Sequence, residues 1–216
     1  MARDNPDIDT EKYRLRRFVD HLVNLGEVEV HDEPVPLTRL SPIIEATSKA
    51  VLFKQAGPEC VELAAKTAGN RRRVAAAFGV TEEKLHDAYF GRLTNPQPLV
   101  EIPSRDAPVH EVVLTGRDVN LLRLPFHPQH AYDGSCYLSA AIDFTVDPAT
   151  GRRNVGCRRL SLRNRTECGT NVTAPSGLAS PPSSGPFTLT PTKVPNPGGF
   201  PIRLCTWYCN SCRTGS

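Results

Sequence analysis

The densest chemistry in this 216-residue chain lies between Arg152 and Arg165. The run Arg152-Arg153-Asn154-Val155-Gly156-Cys157-Arg158-Arg159-Leu160-Ser161-Leu162-Arg163-Asn164-Arg165 holds six arginines in 14 residues. Guanidinium forks match the geometry of phosphate and carboxylate, so such a strip can form an anion site. It can equally be an edge strand guarded against aggregation by its charge, and spacing alone leaves both readings open. Strand alternation puts Asn154, Gly156 and Arg158 on one face, with Val155, Cys157 and Arg159 on the other. Gly156 in mid-strand marks a bulge or the close approach of a ligand. Cys157 beside arginines has the setting of a reactive thiol, although as a small strand residue it is expected in the core.

Other clusters carry weaker signals. His127 and His130, at i and i+3 in a proline-broken loop, have metal-ligand chemistry but are expected at the surface. His21, His31, His86 and His110 read as structural. Arg71-Arg72-Arg73 offers phosphate-binding charge, and a solvated face near a helix N-terminus is the expected reading. Cys205-x3-Cys209-x2-Cys212 resembles half a metal site, but structural zinc takes four ligands and no histidine follows Cys212. No Gly-x-Gly-x-x-Gly, Walker lysine loop, Gly-x-Ser-x-Gly or His-Glu-x-x-His occurs, which removes the commonest nucleotide, hydrolase and metalloprotease readings.

The elements that must position these residues fall into two halves. Leu15, Phe18, Leu22 and Leu25 repeat at helical spacing after an Asp9-Thr10 cap, and Gly26 supplies the stop. Glu27 to Val30 alternates as a half-exposed strand. Ser41-Pro42 is expected to open a helix through Ile43, Ile44 and Thr47, and Ala50–Phe53 reads as an apolar strand. Asn70 caps a helix from Arg71 to Phe78 closed by Gly79, and Thr81 with Glu82 and Glu83 opens another to about Tyr89. After Asn95-Pro96-Gln97-Pro98 the pattern turns to β. Val112–Leu114 is expected as a short strand, and Leu121–Pro125 leads into a loop at Phe126–His130. Tyr137–Val146 is a strong strand in which Leu138, Ala140, Ile142, Phe144 and Val146 share a face. Asp147-Pro148-Ala149-Thr150-Gly151 turns the chain, which returns from Arg152 to about Leu162 as the second arm of a hairpin.

Composition sets the class. The chain is 39% hydrophobic and 23% charged, ordinary values for a folded domain. No run of about 18 apolar residues is present, which excludes a bilayer-spanning helix. The N-terminus shows no apolar signal region, and seven scattered cysteines suit reduced thiols in a cytoplasm. The Asn-x-Thr sequons at Asn164 and Asn171 are then incidental. All 23 acidic side chains lie at or before Glu167, and of the 26 basic ones only Lys193, Arg203 and Arg213 lie beyond it. The body is thus charge-balanced and lacks the strong field of a nucleic-acid binder. From Cys168 to Ser216, 49 residues pass without an acid, and prolines interrupt every apolar period. Residues 177–216 read as a disordered tail with one short extended piece near Leu204–Tyr208. The expectation is that the native sequence breaks off near Ser176, by a reading-frame change or a gene fragment, and resequencing the coding region tests it.

One ordered set of motifs is specific. Leu124-Pro125 ahead of a histidine-bearing loop, Tyr132-Asp133-Gly134-Ser135-Cys136-Tyr137, Asp147-Pro148-x-Thr150-Gly151 and Asn154-x-Gly156-x-x-Arg159 together resemble the UbiD family of decarboxylases. Leu15-Arg16-x-Phe18 with Gly26-Glu27, and Gly69-Asn70-Arg71-Arg72-Arg73 running into Ala77-Phe78-Gly79-Val80, agree. The resemblance covers roughly residues 12–176. Asn154 to Arg159 looks most like the branch acting on furan, pyrrole and related heteroaromatic acids.

The resemblance implies an α+β fold: an N-terminal α/β domain over 1–95, then the start of a flavin-binding split β-barrel over 96–176. It implies prenylated FMN, supplied by a flavin prenyltransferase, with Mn2+ and K+ at its phosphate. Asn154 matches the metal-ligating asparagine, and Arg159 the catalytic arginine that orients the substrate carboxylate. Cys157 and Arg158, like Arg159, match positions along the cofactor. The implied reaction is non-oxidative decarboxylation of an aromatic, heteroaromatic or α,β-unsaturated acid by a homo-oligomer. The departures are specific too. Pro175 and Ser176 stand where the family has a second, histidine metal ligand. The family's glutamate ligand and proton-delivering acids have no counterpart after Glu167. The expectation is therefore that these 216 residues alone are inactive, with no membrane or nucleic-acid partner. The alternative is a non-catalytic phosphate- or RNA-binding module using the arginine strand 152–165, which its lack of interleaved aromatics disfavours.

Overall fold

The computed structural model describes residues 14–95, 103–106, 110, 112–146, 153–170 and 203–205, which divide into two units between Val100 and Glu101. In the first unit, α1 (Leu15–Asn24) buries Val19 and Leu22, and Leu25 closes it by donating its N–H to the His21 carbonyl. The Asp9-Thr10 cap lies outside the described residues. A three-stranded sheet follows in the order β1 (Val28–His31), β2 (Ala50–Ala56), β3 (Val61–Ala65), with β1 parallel and β3 antiparallel to β2. Its core is Val35, Leu40, Val51, Phe53 and Ala56.

Two boundaries differ from the sequence expectation. The helix between β1 and β2, α2 (Leu37–Ala46), starts ahead of Ser41-Pro42 and carries Pro42 inside it. Leu40 is fully buried, and Leu37, Ile43 and Ile44 pack on the same core. Burying that stripe outweighs an internal proline, which costs about 3 kcal/mol. Strand β3, absent from the sequence reading, forms because Val61 and Leu63 reach the same core when paired with β2.

Helix α3 (Arg71–Phe78) has the expected ends. The Asn70 side chain accepts the Arg73 N–H at 2.8 Å, and Gly79 takes φ +69°. Helix α4 (Leu85–Thr94) begins after a turn at 82–84 rather than at Thr81.

The arginine triplet of α3 is not a uniform solvated face. Arg73 is 1% exposed. Its Nη1 donates to Glu27 Oε2 at 3.1 Å and to the Ser48 carbonyl at 3.2 Å, while Nε donates to the Lys66 carbonyl at 3.1 Å. One guanidinium thus ties α3 to the entry of β1, the entry of β2 and the exit of β3. Its Nη2 lies so near Gly69 that a Cβ there would come within 2.8 Å of it and 3.0 Å of the Lys66 carbonyl oxygen, so a side chain at 69 would push on the guanidinium. Arg71 donates to the Glu82 carbonyl, and Arg72 reaches Glu27 Oε1 at 3.3 Å from an exposed position.

The second unit is a four-stranded antiparallel sheet in the order β6 (Cys168–Thr170), β5 (Arg153–Leu162), β4 (Tyr137–Val146), β7 (Arg203–Cys205). Leu121, Phe126, Ala141, Leu160 and Cys168 form its core. Strand β7 falls where a short extended piece was expected. The turn at 147–151, Cys209 and Cys212 lie outside the described residues. Val112–Leu114 does not form the expected strand: all three side chains are more than half exposed and no partner strand is present among the described residues.

Breaking a buried ion pair on one side strands the other charge and costs about 3–5 kcal/mol, whereas an exposed pair is worth under about 1 kcal/mol. Urea unfolding of the full chain should therefore show a loss of about 3 kcal/mol for Arg73→Met and under about 1 kcal/mol for Arg72→Ala.

Candidate functional site

The pairing of β4 with β5 contains one irregularity, and it falls at Arg159. Tyr137 pairs with Ser161 and Leu138 with Leu160, but the ladder resumes as Ala141 with Arg158 and Ile142 with Cys157. Two residues, Ser139 and Ala140, therefore stand opposite the single residue Arg159. Such a bulge reverses the facing of every later side chain in the bulged strand. The face expected for β4 is corrected accordingly: Leu138 packs on the core, Ala140 is exposed and Ala141 is buried. The sequence placed a bulge signal at Gly156, on the opposite strand; Gly156 instead pairs regularly with Asp143.

The other strand keeps its alternation. Leu160 and Leu162 face the core, while Val155, Cys157 and Arg159 are exposed. Cys157 is thus corrected from core to surface. A small strand residue suits burial, but the buried side of β5 is the one carrying the two leucines. Arg159 and Cys157 stand two residues apart on one open face, and the Arg159 guanidinium lies 5.7 Å from the centroid of the Tyr137 ring. Asn154 is in register with Thr145, and Arg158 with Ala141.

Tyr137 is held from both sides. One neighbour is Ser161 of β5; the other is His127, whose carbonyl accepts the Tyr137 N–H at 2.8 Å and whose N–H donates to the Tyr137 carbonyl at 3.2 Å. His127 is buried, with Nδ1 at 2.9 Å from the Pro125 carbonyl. It is a brace for the start of β4, contrary to the surface position expected for it. The loop behind it closes on Asp133, whose Oδ2 accepts the N–H groups of Gln129 and His130 at 2.9 and 3.1 Å. Burial pushes the Asp133 carboxyl up, but those two hydrogen bonds and the His130 ring outweigh it and hold the carboxyl below its ordinary value.

The far end of the arginine strip is structural. Arg165 donates to the carbonyls of Val119 and Arg117, and its own carbonyl accepts the Leu121 N–H. Asn164 accepts from the N–H groups of Thr166 and Glu167, capping the turn into β6. Arg163 lies over Gly169, where a Cβ would come within 3.1 Å of its Nε. Among the described residues no group of three or more His, Cys, Asp or Glu side chains, His127 and His130 included, is placed to hold a metal ion.

Residues 100–180 match the family model for the 3-octaprenyl-4-hydroxybenzoate carboxy-lyase Rift-related domain, the UbiD model. Residues 100–180 thus resemble a UbiD-type domain. The structure is similar to the UbiD-class enzyme HmfF of Pelotomaculum thermopropionicum in complex with prenylated FMN, at 26% identity and a TM-score of 0.69 over 74% of this chain and 38% of that one. The fold is shared with the 3,4-dihydroxybenzoic acid decarboxylase of Enterobacter cloacae, at 20% identity and a TM-score of 0.69 over 76% of this chain and 38% of that one. In sequence the chain is 29% identical over 166 residues to an uncharacterized protein in the cooM 5′ region of Rhodospirillum rubrum, covering 74% of this chain and 35% of the relative. The chain thus spans little more than a third of the length of these relatives. Cys157 and Arg159 are exposed on β5, and no helix among the described residues is long and apolar enough to cross a membrane.

A carboxyl whose pKa is lowered by folding adds stability that is present above its ordinary pKa and lost as pH falls through the lowered one. Amide-exchange protection of Gln129 and His130 should therefore hold from neutral pH down to the usual carboxylate range and collapse below it. In Asp133→Ala the protection should be weak at every pH.

Proposed function

We propose that this chain contributes the arginine wall of a UbiD-like non-oxidative decarboxylase acting on aromatic, heteroaromatic or α,β-unsaturated carboxylic acids with prenylated FMN. The observation that carries the reading is Arg159 on the open face of β5, opposite the β4 bulge, within a domain of the matching family. A guanidinium there pairs with a substrate carboxylate through two parallel N–H bonds. Val155 and Cys157 on the same face give a flat isoalloxazine ring an apolar and polarisable floor, so the residues present fit the flavin. Prenylated FMN, made by a flavin prenyltransferase, would supply the electron sink for the pair left behind by CO2. The run Asn154 to Arg159 supports the heteroaromatic branch as substrate class.

The donors for Mn2+ and K+ do not fit so well. Asn154 offers one amide oxygen, and a divalent ion of this type needs several hard oxygen ligands. No metal-dependent step is assigned to these residues. The proton step needs a positioned acid, and none follows Glu167. The 216 residues are therefore proposed to bind and orient in the cytoplasm without turning over, and homo-oligomerisation belongs to the complete family architecture. The phosphate- or RNA-binding alternative loses support from Arg163 and Arg165, which are engaged in the turn before β6.

Titrating the purified chain with FMN or its prenylated form should slow iodoacetamide labelling of Cys157 several-fold while Cys60, exposed in the other unit, labels as before. Arg159→Ala should weaken that protection, and CO2 release should stay at the flavin-free blank. A folded chain whose Cys157 labels equally fast at saturating flavin would sink the proposal.

A further inference from the structure

We propose that the chain's own tail, through β7, caps the outer edge of β4 and keeps that edge from pairing with other chains. Strand β4 is 10 residues long and pairs with β5 along one side. Left bare, its other side would present a row of N–H and C=O groups, the template on which a second chain adds a strand. The residue types make this a hazard. Ile142, Phe144, Thr145 and Val146 are strong strand formers, and Asp143 is the one charge among them.

Among the described residues three devices guard that side. At its start, His127 exchanges both backbone hydrogen bonds with Tyr137. Next comes the bulge at Ser139 and Ala140, which twists an edge away from regular pairing. The last is β7, whose Arg203, Leu204 and Cys205 pair antiparallel with Phe144, Asp143 and Ile142. The first two lie within residues 100–180, which match the family model, and β7 lies beyond them. The tail's composition suits the place. Pro201 stands just ahead of β7 and cannot donate to a ladder, so the new edge that β7 exposes stays short. No acidic residue follows Glu167, so β7 brings no like charge opposite Asp143. The inference rests on strand order and register and stands apart from the decarboxylase reading.

The register supplies the test. Cys157 and Cys205 both pair with Ile142, from opposite sides, so their backbones lie two strand spacings apart, about 10 Å. A short bismaleimide added to the dilute, flavin-free full chain should join Cys157 to Cys205 within one molecule, in preference to Cys209 or Cys212, as read by peptide mapping. Leu204→Pro removes an N–H and disfavours the strand, so it should abolish that link, while Leu204→Val should keep it. Among the amides of Ile142, Asp143 and Phe144, those pointing to β7 should exchange at least about tenfold faster in Leu204→Pro, and those pointing to β5 should not. Sedimentation should show larger species for Leu204→Pro than for the parent chain at equal concentration. Links formed only between two molecules would mean that a second copy supplies the cap and would overturn the proposal. Unchanged exchange and size in Leu204→Pro would overturn it as well. If that variant also loses the β5–β6 pairing at Leu160–Leu162, the link in the parent chain decides alone: Cys157 joined to Cys205 upholds the cap, and its absence rejects it.

Discussion

Packing of the second unit depends on one extra residue in β4. Without the bulge at Ser139 and Ala140, the side of β4 that buries Leu138 would next bury Ala140 and Ile142, and Ala141 would turn outward. With it, Leu138 and Ala141 share the core with Leu160, Phe126, Leu121 and Cys168. The same irregularity sets two small residues, Ser139 and Ala140, across from Arg159, which shares an exposed face with Val155 and Cys157. Bulges concentrate where a strand must re-aim a side chain, and here one device serves both the core and the candidate site. Cys168 shows the contrast between the two faces: burial pushes its thiol up, while Cys157 stands in the open.

The first unit is organised by a different constraint. Arg73 is a charged side chain with almost no exposure, and such a group persists only when it is paired and hydrogen-bonded. Its partners come from Glu27, Ser48 and Lys66, far apart in sequence and adjacent only after the sheet forms. Lys66 itself, at φ +55°, donates to the carbonyls of Ile44 and Thr47 at the end of α2. Two cations thus donate to carbonyls at the strand and helix ends. Gly69 completes the arrangement by leaving room for the guanidinium.

The arginine strip separates into parts with different work. Arg163 and Arg165 belong to the turn between β5 and β6, where one lies over a glycine and the other binds two carbonyls. Arg159 faces outward beside an aromatic ring. A run that reads as uniform charge therefore holds one arginine exposed beside a ring and two set for loop closure. Phosphate binding by the whole strip would require all of them to point into one groove, which the alternation and the turn forbid.

Local physics made much of this legible from sequence. Helix α3 was readable to the residue, because an asparagine cap and a left-handed glycine act within one turn. The β4–β5 hairpin followed from alternation. The same signals missed β3, the start of α2 and the bulge, each of which depends on what packs on the other side. Pro42 sits inside a helix because a core stripe on its neighbours outweighs its local cost. Cys157, expected inside, lies outside because the leucines of the same strand claim the core. Burial of Arg73 was beyond sequence reasoning, since its three partners meet only in the folded unit. Caps, turns and periodicity are properties of neighbours in the chain and were determined by the sequence itself. The facing of strands and the pairing of buried charges are contests among distant groups for one interior, and only the tertiary structure decided them.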